Sequence, residues 1–362
     1  MAISLLKIAN LRNIRELTIH PYPYLNMIWG DNGSGKTTIL EAIYTIARGR
    51  SFRGRGAGSL ISRGEQSLTV FSMIERAGQK NQVGVRKTSK ETEVRHNGQS
   101  VNKLSTLAQL TPLQIITPNS HELLERGPEY RRRFLEWGVF HVEHDYRKCH
   151  REYIKALLNR NAALRDGRSQ LSIWDKTLGE YGERLEKMRN SYFNNFKEVA
   201  ADEIKMFLPN IPIELTWKRG WKGKESLIES LSKYREKDIE RGFTQIGPHR
   251  ADLSIKFTGR SAKNSASRGQ QKLIIIAMHL AQATISQRAN NISPIILIDD
   301  LAAELDSKNR ELLLNRLSKL KSQVFLTGTD PITADGLKLF HVEHGTIADR
   351  HGRLKAEAIS PR

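Results

Sequence analysis

Gly30-Asp31-Asn32-Gly33-Ser34-Gly35-Lys36-Thr37 is the stretch on which the fold turns. It fits the pattern G-x-x-x-x-G-K-[ST]. Glycines at these positions let the backbone curl until successive N–H groups point inward at phosphate oxygens. Residues 24–29 before it form a largely apolar strand candidate. Residues 37–47 after it are a helix candidate, with apolar side chains at Ile39, Leu40, Ile43, Ile46 and Ala47. Such a helix turns its positive end toward the loop. An ordinary glycine-rich turn is the competing reading, but strand, loop and helix in this order are the setting that a phosphate loop requires. The expected nucleotide-binding set is therefore Gly30, Asp31, Asn32, Gly33, Ser34, Gly35, Lys36, Thr37 and Thr38. Lys36 is expected to reach the β- and γ-phosphates of ATP and to serve catalysis, and the Thr37 hydroxyl to ligate Mg²⁺.

A phosphate loop needs an acid from elsewhere in the chain. Pro294–Ile298 is wholly apolar, as a buried parallel strand should be, and it ends in Asp299 and Asp300. Asp299 is the expected Mg²⁺ ligand and Asp300 the catalytic carboxylate that orients the attacking water. The strand is expected directly beside the phosphate-loop strand. Upstream, Ser265–Lys272 precedes an apolar helix candidate. Ser267, Gly269 and Gln270 stand at its start and make a second anion site of the same physical kind. Ser267 lies 32 residues before Asp299, and Glu304-Leu305-Asp306 follows the acid strand. Thr327-Gly328-Thr329 ends the next apolar run.

The rest of the 362-residue chain divides by period. Residues 1–115 and 243–362 carry strand and turn signals and are expected to form an α/β head. Residues 116–242 are expected to form a mostly helical lobe. Within it 129–165 reads as one long helical stretch, and apolar residues recur at Leu178, Tyr181, Leu185, Met188, Tyr192, Phe196 and Val199. That stripe lasts only about three heptads, too short for an extended coiled coil.

Net charge is +19, from 58 basic and 39 acidic residues, which favours a polyanion partner, nucleic acid before membrane. Two stretches are candidates for phosphate contact. Residues 48–64 hold Arg48, Arg50, Arg53, Arg55 and Arg63 among five glycines with no acid. Residues 126–165 hold ten basic residues against five acids; its Arg131-Arg132-Arg133 is open to either DNA contact or internal pairing. A single cysteine, Cys149, excludes an internal disulfide. No secretory signal or spanning segment is apparent, so a soluble, cytoplasmic protein is expected. His141-Val142-Glu143-His144, repeated at 341–344, lacks metallohydrolase spacing. Asn102-Lys103-Leu104-Ser105 lacks the acid of a guanine-specifying box.

The Ser267 segment resembles the signature motif of ATP-binding-cassette ATPases, commonly Leu-Ser-Gly-Gly-Gln, with Ala266 in place of the leucine and Arg268 in place of the first glycine. Glu304–Asp306 resembles their D-loop, and Thr327–Thr329 stands where many cassettes carry a switch histidine; Gln114 is a candidate for the Q-loop glutamine. The whole order, opening with Asn10-Leu11-Arg12-Asn13, is similar to the SMC/Rad50/RecF group of cassette ATPases. Pro118–Ser120, Gly127–Leu135 and Thr244–Leu253 narrow the resemblance to its bacterial recombination-mediator family. It implies a cassette head with an inserted helical lobe and a homodimer closed by ATP, each Ser267 facing the partner's γ-phosphate. It further implies binding to double-stranded DNA and double-strand/single-strand junctions, with single-stranded DNA possible, and action with RecO and RecR proteins to help load the RecA recombinase. Lys36 and Ser267 stand 231 residues apart, longer than transporter cassettes allow and far shorter than coiled-coil relatives. Asp300 replaces the family's catalytic glutamate and is one methylene shorter, which implies slow, switch-like hydrolysis. The alternatives are a nucleotide-dependent scaffold that does not hydrolyse ATP and a transporter ATPase subunit.

Overall fold

Alternating buried and exposed residues along the first strands set up a sheet with one face in the core. The computed structural model describes residues 1–54, 60–101, 103–165, 171–300, 305–332 and 334–348. The first half of the head runs β1 (Ala2–Leu11), β2 (Ile14–Ile19), β3 (Leu25–Trp29), α1 (Lys36–Arg48), β4 (Ser67–Arg76), β5 (Gln79–Thr88), β6 (Thr92–His96), β7 (Gln99–Ser100), α2 (Leu104–Leu110) and β8 (Leu113–Ile116). The helical part follows with α3 (Glu122–Glu125), α4 (Pro128–Val142), α5 (Tyr146–Arg165), α6 (Leu171–Phe207), β9 (Ile213–Lys218), α7 (Leu227–Arg241), β10 (Asp252–Phe257), β11 (Arg260–Ser261), α8 (Ala262–Ser265) and α9 (Arg268–Asn290). The chain then returns through β12 (Ile295–Ile298), α10 (Ser307–Lys319), β13 (Val324–Gly328), β14 (Leu337–Glu343) and β15 (Thr346–Ala348).

Two compact units result, residues 1–119 with 291–362 and residues 120–290. In the first, an antiparallel sheet of order β2-β1-β4-β5-β6-β7 and a second sheet of order β15-β14-β3-β13-β12-β8 share one core. Ile39, Leu40, Ile43 and Ile46 of α1 lie in that core with Ile8, Val70 and Val85 of the antiparallel sheet and Ile28, Leu297 and Phe325 of the other. β3 pairs in parallel with β13 and β14, and β12 with β13 and β8. β12 is therefore not beside β3, as the sequence suggested; β13 lies between them. Gln114 is the second residue of β8, buried opposite Ile296 and two residues before the strand's C-terminal end.

The second unit takes more of the chain than the sequence suggested, because residues 243–290 belong to it. β10 pairs with β9 over Asp252–Phe257, and α9 packs along α6. α6 is 37 residues, about 55 Å long. The expected single helix over 129–165 is two, broken at residues 143–145. Buried charge ties the unit together. The fully buried Arg160 of α5 donates to Asp175 of α6 (2.6 Å), Asp238 of α7 (2.7 Å) and the hydroxyl of Thr244 (2.7 Å). His249 lies between the Tyr153 hydroxyl (2.7 Å from Nδ1) and the Thr244 carbonyl (3.0 Å from Nε2).

Candidate nucleotide site

The loop between β3 and α1 curls through positive φ at Gly30 (147°), Gly33 (82°) and Gly35 (120°). At Gly30 a Cβ would lie 2.2 Å from the Val342 carbonyl oxygen, so β14 packs where any side chain would stand. Asn13, in the turn between β1 and β2, clamps the loop from outside. Its Nδ2 donates to the Gly33 carbonyl (3.0 Å), and its Oδ1 accepts from the Thr38 hydroxyl (3.0 Å). The β14–β15 turn adds a bond from Gly345 N to the Ser34 carbonyl (2.7 Å). Arg12 is held by the buried Glu41 of α1, which also accepts from the Ser51 hydroxyl. No role for Arg12, Asn13 or Glu41 was apparent from the sequence, although the first two stand in the Asn10–Asn13 segment.

Inside the loop, Lys36 is buried and its Nζ donates to the carbonyls of Gly30 (2.8 Å) and Asp31 (2.9 Å). Asp31, Asn32 and Gly33 are exposed at the rim. The Ser34 hydroxyl is buried with no hydrogen-bond partner among the described residues. The lysine spanning the loop and the orphaned hydroxyl within it both suit an anion.

Asp299 and Asp300 end β12. The Thr37 hydroxyl donates to Asp299 Oδ1 (2.9 Å), joining residues 262 apart in sequence. Thr327, at the end of the intervening β13, is fully buried and its hydroxyl donates to the same oxygen (2.8 Å). That hydroxyl also accepts from Asp300 N (3.0 Å). Burial raises the Asp299 carboxyl above the usual carboxylate range; bonds from Thr327 and Thr37 oppose the rise, and the neighbouring Asp300 charge adds to it. A desolvated carboxylate oxygen beside a threonine hydroxyl is a donor set suited to a small hard cation such as Mg²⁺. Asp300 has a left-handed backbone, φ 51°, costly for a residue with a side chain. Thr327 is the residue that sequence reasoning noticed without giving it this role. Of Glu304–Asp306, Glu304 lies outside the described residues, and Asp306 caps α10 through Asn309 N (2.8 Å).

In the second unit, Ser267 caps α9. Its hydroxyl accepts from Gln270 N (3.3 Å), and Gln270 Oε1 accepts from Ser267 N (2.8 Å), a reciprocal box that starts the helix. A Cβ at Gly269 would meet nothing within 4 Å, so nothing in this chain's packing requires a glycine there.

The basic stretches behave differently from each other. In α4 and its approach, Arg126 pairs with Glu122 (2.8 Å), Arg131 grips Asp252 with two bonds (2.7 and 3.1 Å), Arg132 donates to the Ala251 carbonyl (2.7 Å), and Arg133 pairs with Glu129. The triple arginine is thus tied internally. In residues 48–64, Arg48 is half-buried and donates to the Leu113 carbonyl (2.9 Å), Arg55 lies outside the described residues, and Arg50, Arg53 and Arg63 are exposed.

Phosphate loop, acid strand and glycine-bearing helix cap on this sheet order define a P-loop ATPase head of the cassette type. The family model described as "RecF/RecN/SMC N terminal domain" matches residues 2–344, and the chain belongs to that family. Within it the chain is a RecF relative. It is 38% identical over 356 residues to the DNA replication and repair protein RecF of Shewanella baltica strain OS155, covering 96% of this chain and 99% of that one. It is 40% identical over 357 residues to RecF of Thioalkalivibrio sulfidiphilus, with coverage of 96% and 99%. A solved structure of the recombination mediator protein RecF with ATP in the RecFOR pathway superposes with TM-score 0.85 at 26% identity, covering 96% of each chain. An Smc head bound to the C-terminal winged-helix domain of ScpA superposes with TM-score 0.62 at 15% identity over 96% of each chain, a likeness of fold. Among the described residues no helix is long and apolar enough to cross a membrane.

Proposed function

We propose that this chain is a DNA-binding ATPase that dimerises on ATP and acts in recombinational repair and replication-gap processing. The observation that carries the ATPase reading is the Thr37–Asp299 contact, which places a hydroxyl and a desolvated carboxylate together at the mouth of the phosphate loop. Lys36 exchanges its two loop carbonyls for the β- and γ-phosphate oxygens of ATP. Thr37 and Asp299 hold Mg²⁺, which when bound neutralises phosphate charge. Asp300 orients a water and takes its proton, and Thr327 fixes Asp300 by accepting its N–H. An aspartate is a short reach for that task, so turnover is slow.

The start of α9 completes the site in the partner subunit. The open space at Gly269 lets a phosphate approach the first N–H groups of the helix, and the Ser267 hydroxyl leaves its cap bond for the γ-phosphate. DNA binding draws on the charge of +19 and on the family; partners of the RecO and RecR kind, and through them the recombinase RecA, follow from the RecFOR setting of the ATP-bound neighbour. The reading is tested by ATP turnover against protein concentration, with and without duplex DNA. Turnover that rises faster than in proportion to protein, and rises again with DNA, supports it; nucleotide binding without turnover favours the scaffold instead.

A further inference from the structure

One concave surface in the first unit takes no part in the proposed ATP site. Ser67 and Thr88 pair at the open end of β4 and β5. A turn stands on each side. One runs over residues 62–65, closed by Glu65 N to the Ser62 carbonyl (3.0 Å) with Gly64 at φ 90°. The other runs over 88–91, closed by Lys90 N and Glu91 N on the Thr88 hydroxyl (3.2 and 3.0 Å). Between them lies a cleft of about 530 Å³ lined by Arg63, Arg86 and Lys90.

All three cations are exposed, and none has an ion-pair partner among the described residues. The acid lining the cleft, Glu65, accepts from Asn10 Nδ2 (3.2 Å). Glu93, across the β5–β6 pair from Arg86, is held by Arg95 (2.8 Å). The lining side chains are hydroxyls, cations, one carboxylate and one amide, with Ile61 the apolar member, unlike the mostly apolar pockets that take small organic ligands. Three cations without ion pairs against one carboxylate, Arg63 and Lys90 on the two turns and Arg86 in β5, suit a run of phosphates on a neighbouring strand of nucleic acid. The arginines of 126–133, by contrast, are already spent on Glu122, Asp252, Ala251 and Glu129.

We propose that the cleft of Arg63, Arg86 and Lys90 seats the phosphodiester backbone of duplex DNA, and that the paired arginines Arg126 and Arg133 do not. This rests on the DNA-binding reading above. The experiment is a salt titration of duplex binding by fluorescence anisotropy on the full chain. It compares wild type, the Arg63→Gln, Arg86→Gln and Lys90→Gln singles, their triple combination, and an Arg126→Gln/Arg133→Gln control. Each lost phosphate contact makes the slope of log K against log salt shallower by about 0.9, so the triple variant should lose about 2 to 3 and bind at least about tenfold more weakly. The control should keep the wild-type slope. Because the three side chains are exposed, the variants should unfold at the wild-type temperature; if the triple does not, the singles carry the test. An unchanged slope in the triple or in all three singles overturns the proposal, as does an equal loss in the control. If wild type fails to bind duplex DNA at all, the DNA-binding reading falls with it.

Discussion

Replacing Thr327 by valine keeps the shape of a fully buried side chain and removes one hydroxyl with two bonds. One is a donation to the Asp299 carboxylate, worth about 1.5–3 kcal/mol as a bond to a charged group. The other is the acceptance from the half-buried Asp300 N–H, which would be left without this partner at a cost of about 1 kcal/mol. Asp299 keeps its bond from Thr37, so the loss should fall near the lower end, about 3 kcal/mol. The carboxyl of Asp299, already raised by burial, would rise further with one donor fewer. Asp300, held at φ 51°, would lose the bond that fixes it. Urea unfolding should show the destabilisation, and ATP turnover should fall by more than ATP affinity. Thr327→Ser, which restores the hydroxyl, should recover both. If Thr327→Val unfolds within about 0.5 kcal/mol of wild type and turns over ATP normally, the hydroxyl does not hold this corner together.

Asp300→Asn should keep ATP binding, slow turnover and prolong the ATP-dependent stay on DNA, because removing hydrolysis removes the exit from a state that ATP favours; wild-type turnover or wild-type DNA release would refute the role given to Asp300. Asp299→Asn should instead weaken Mg²⁺-dependent ATP binding, measured by calorimetry, while raising the melting temperature of the nucleotide-free protein by relieving a buried charge. His249 is pushed by burial down to about 4 from an ordinary 6.5. A depressed histidine is neutral in the fold and takes up its proton on unfolding, so the stability tied to it is present above pH 6.5 and is lost as pH falls toward 4. The loss amounts to about 3 kcal/mol, and the stability difference between wild type and His249→Gln should shrink by that amount between pH 7 and pH 4.

The phosphate loop was legible because its chemistry is local: three glycines, a lysine and a threonine within eight residues fix both conformation and ligand class. The acid strand was legible as a short apolar run ending in two carboxylates. Its place two strands from β3 was not, since strand order is set by long-range packing that leaves no mark in either strand. For the same reason Thr327 read as the end of an apolar run, and only the place of β13 beside β12 shows why its hydroxyl meets Asp299 and Asp300. The break between α4 and α5 carries no proline or glycine over residues 143–145, so periodicity alone ran through it. Whether the arginines of α4 pair internally stayed open in the sequence because one partner, Asp252, lies 121 residues from Arg131. Ser267 and Gln270 satisfied two patterns at once, a helix cap and a signature motif; the structure shows the cap.

The proposed ATP site is shared between two copies, with Lys36 from one and Ser267 from the other. Mixing two defective variants tests it most directly. Lys36→Ala lacks the loop cation and Ser267→Arg blocks the helix cap, so each alone should turn over ATP at background. A mixed dimer rebuilds one complete site, from the intact loop of the Ser267→Arg subunit and the intact cap of the Lys36→Ala subunit. ATP turnover of the mixture should therefore rise well above the sum of its parts, toward about a quarter of the wild-type rate for random pairing at equal concentration, one good site in half of the dimers. A mixture that stays at the sum of the two separate variants would contradict the shared site.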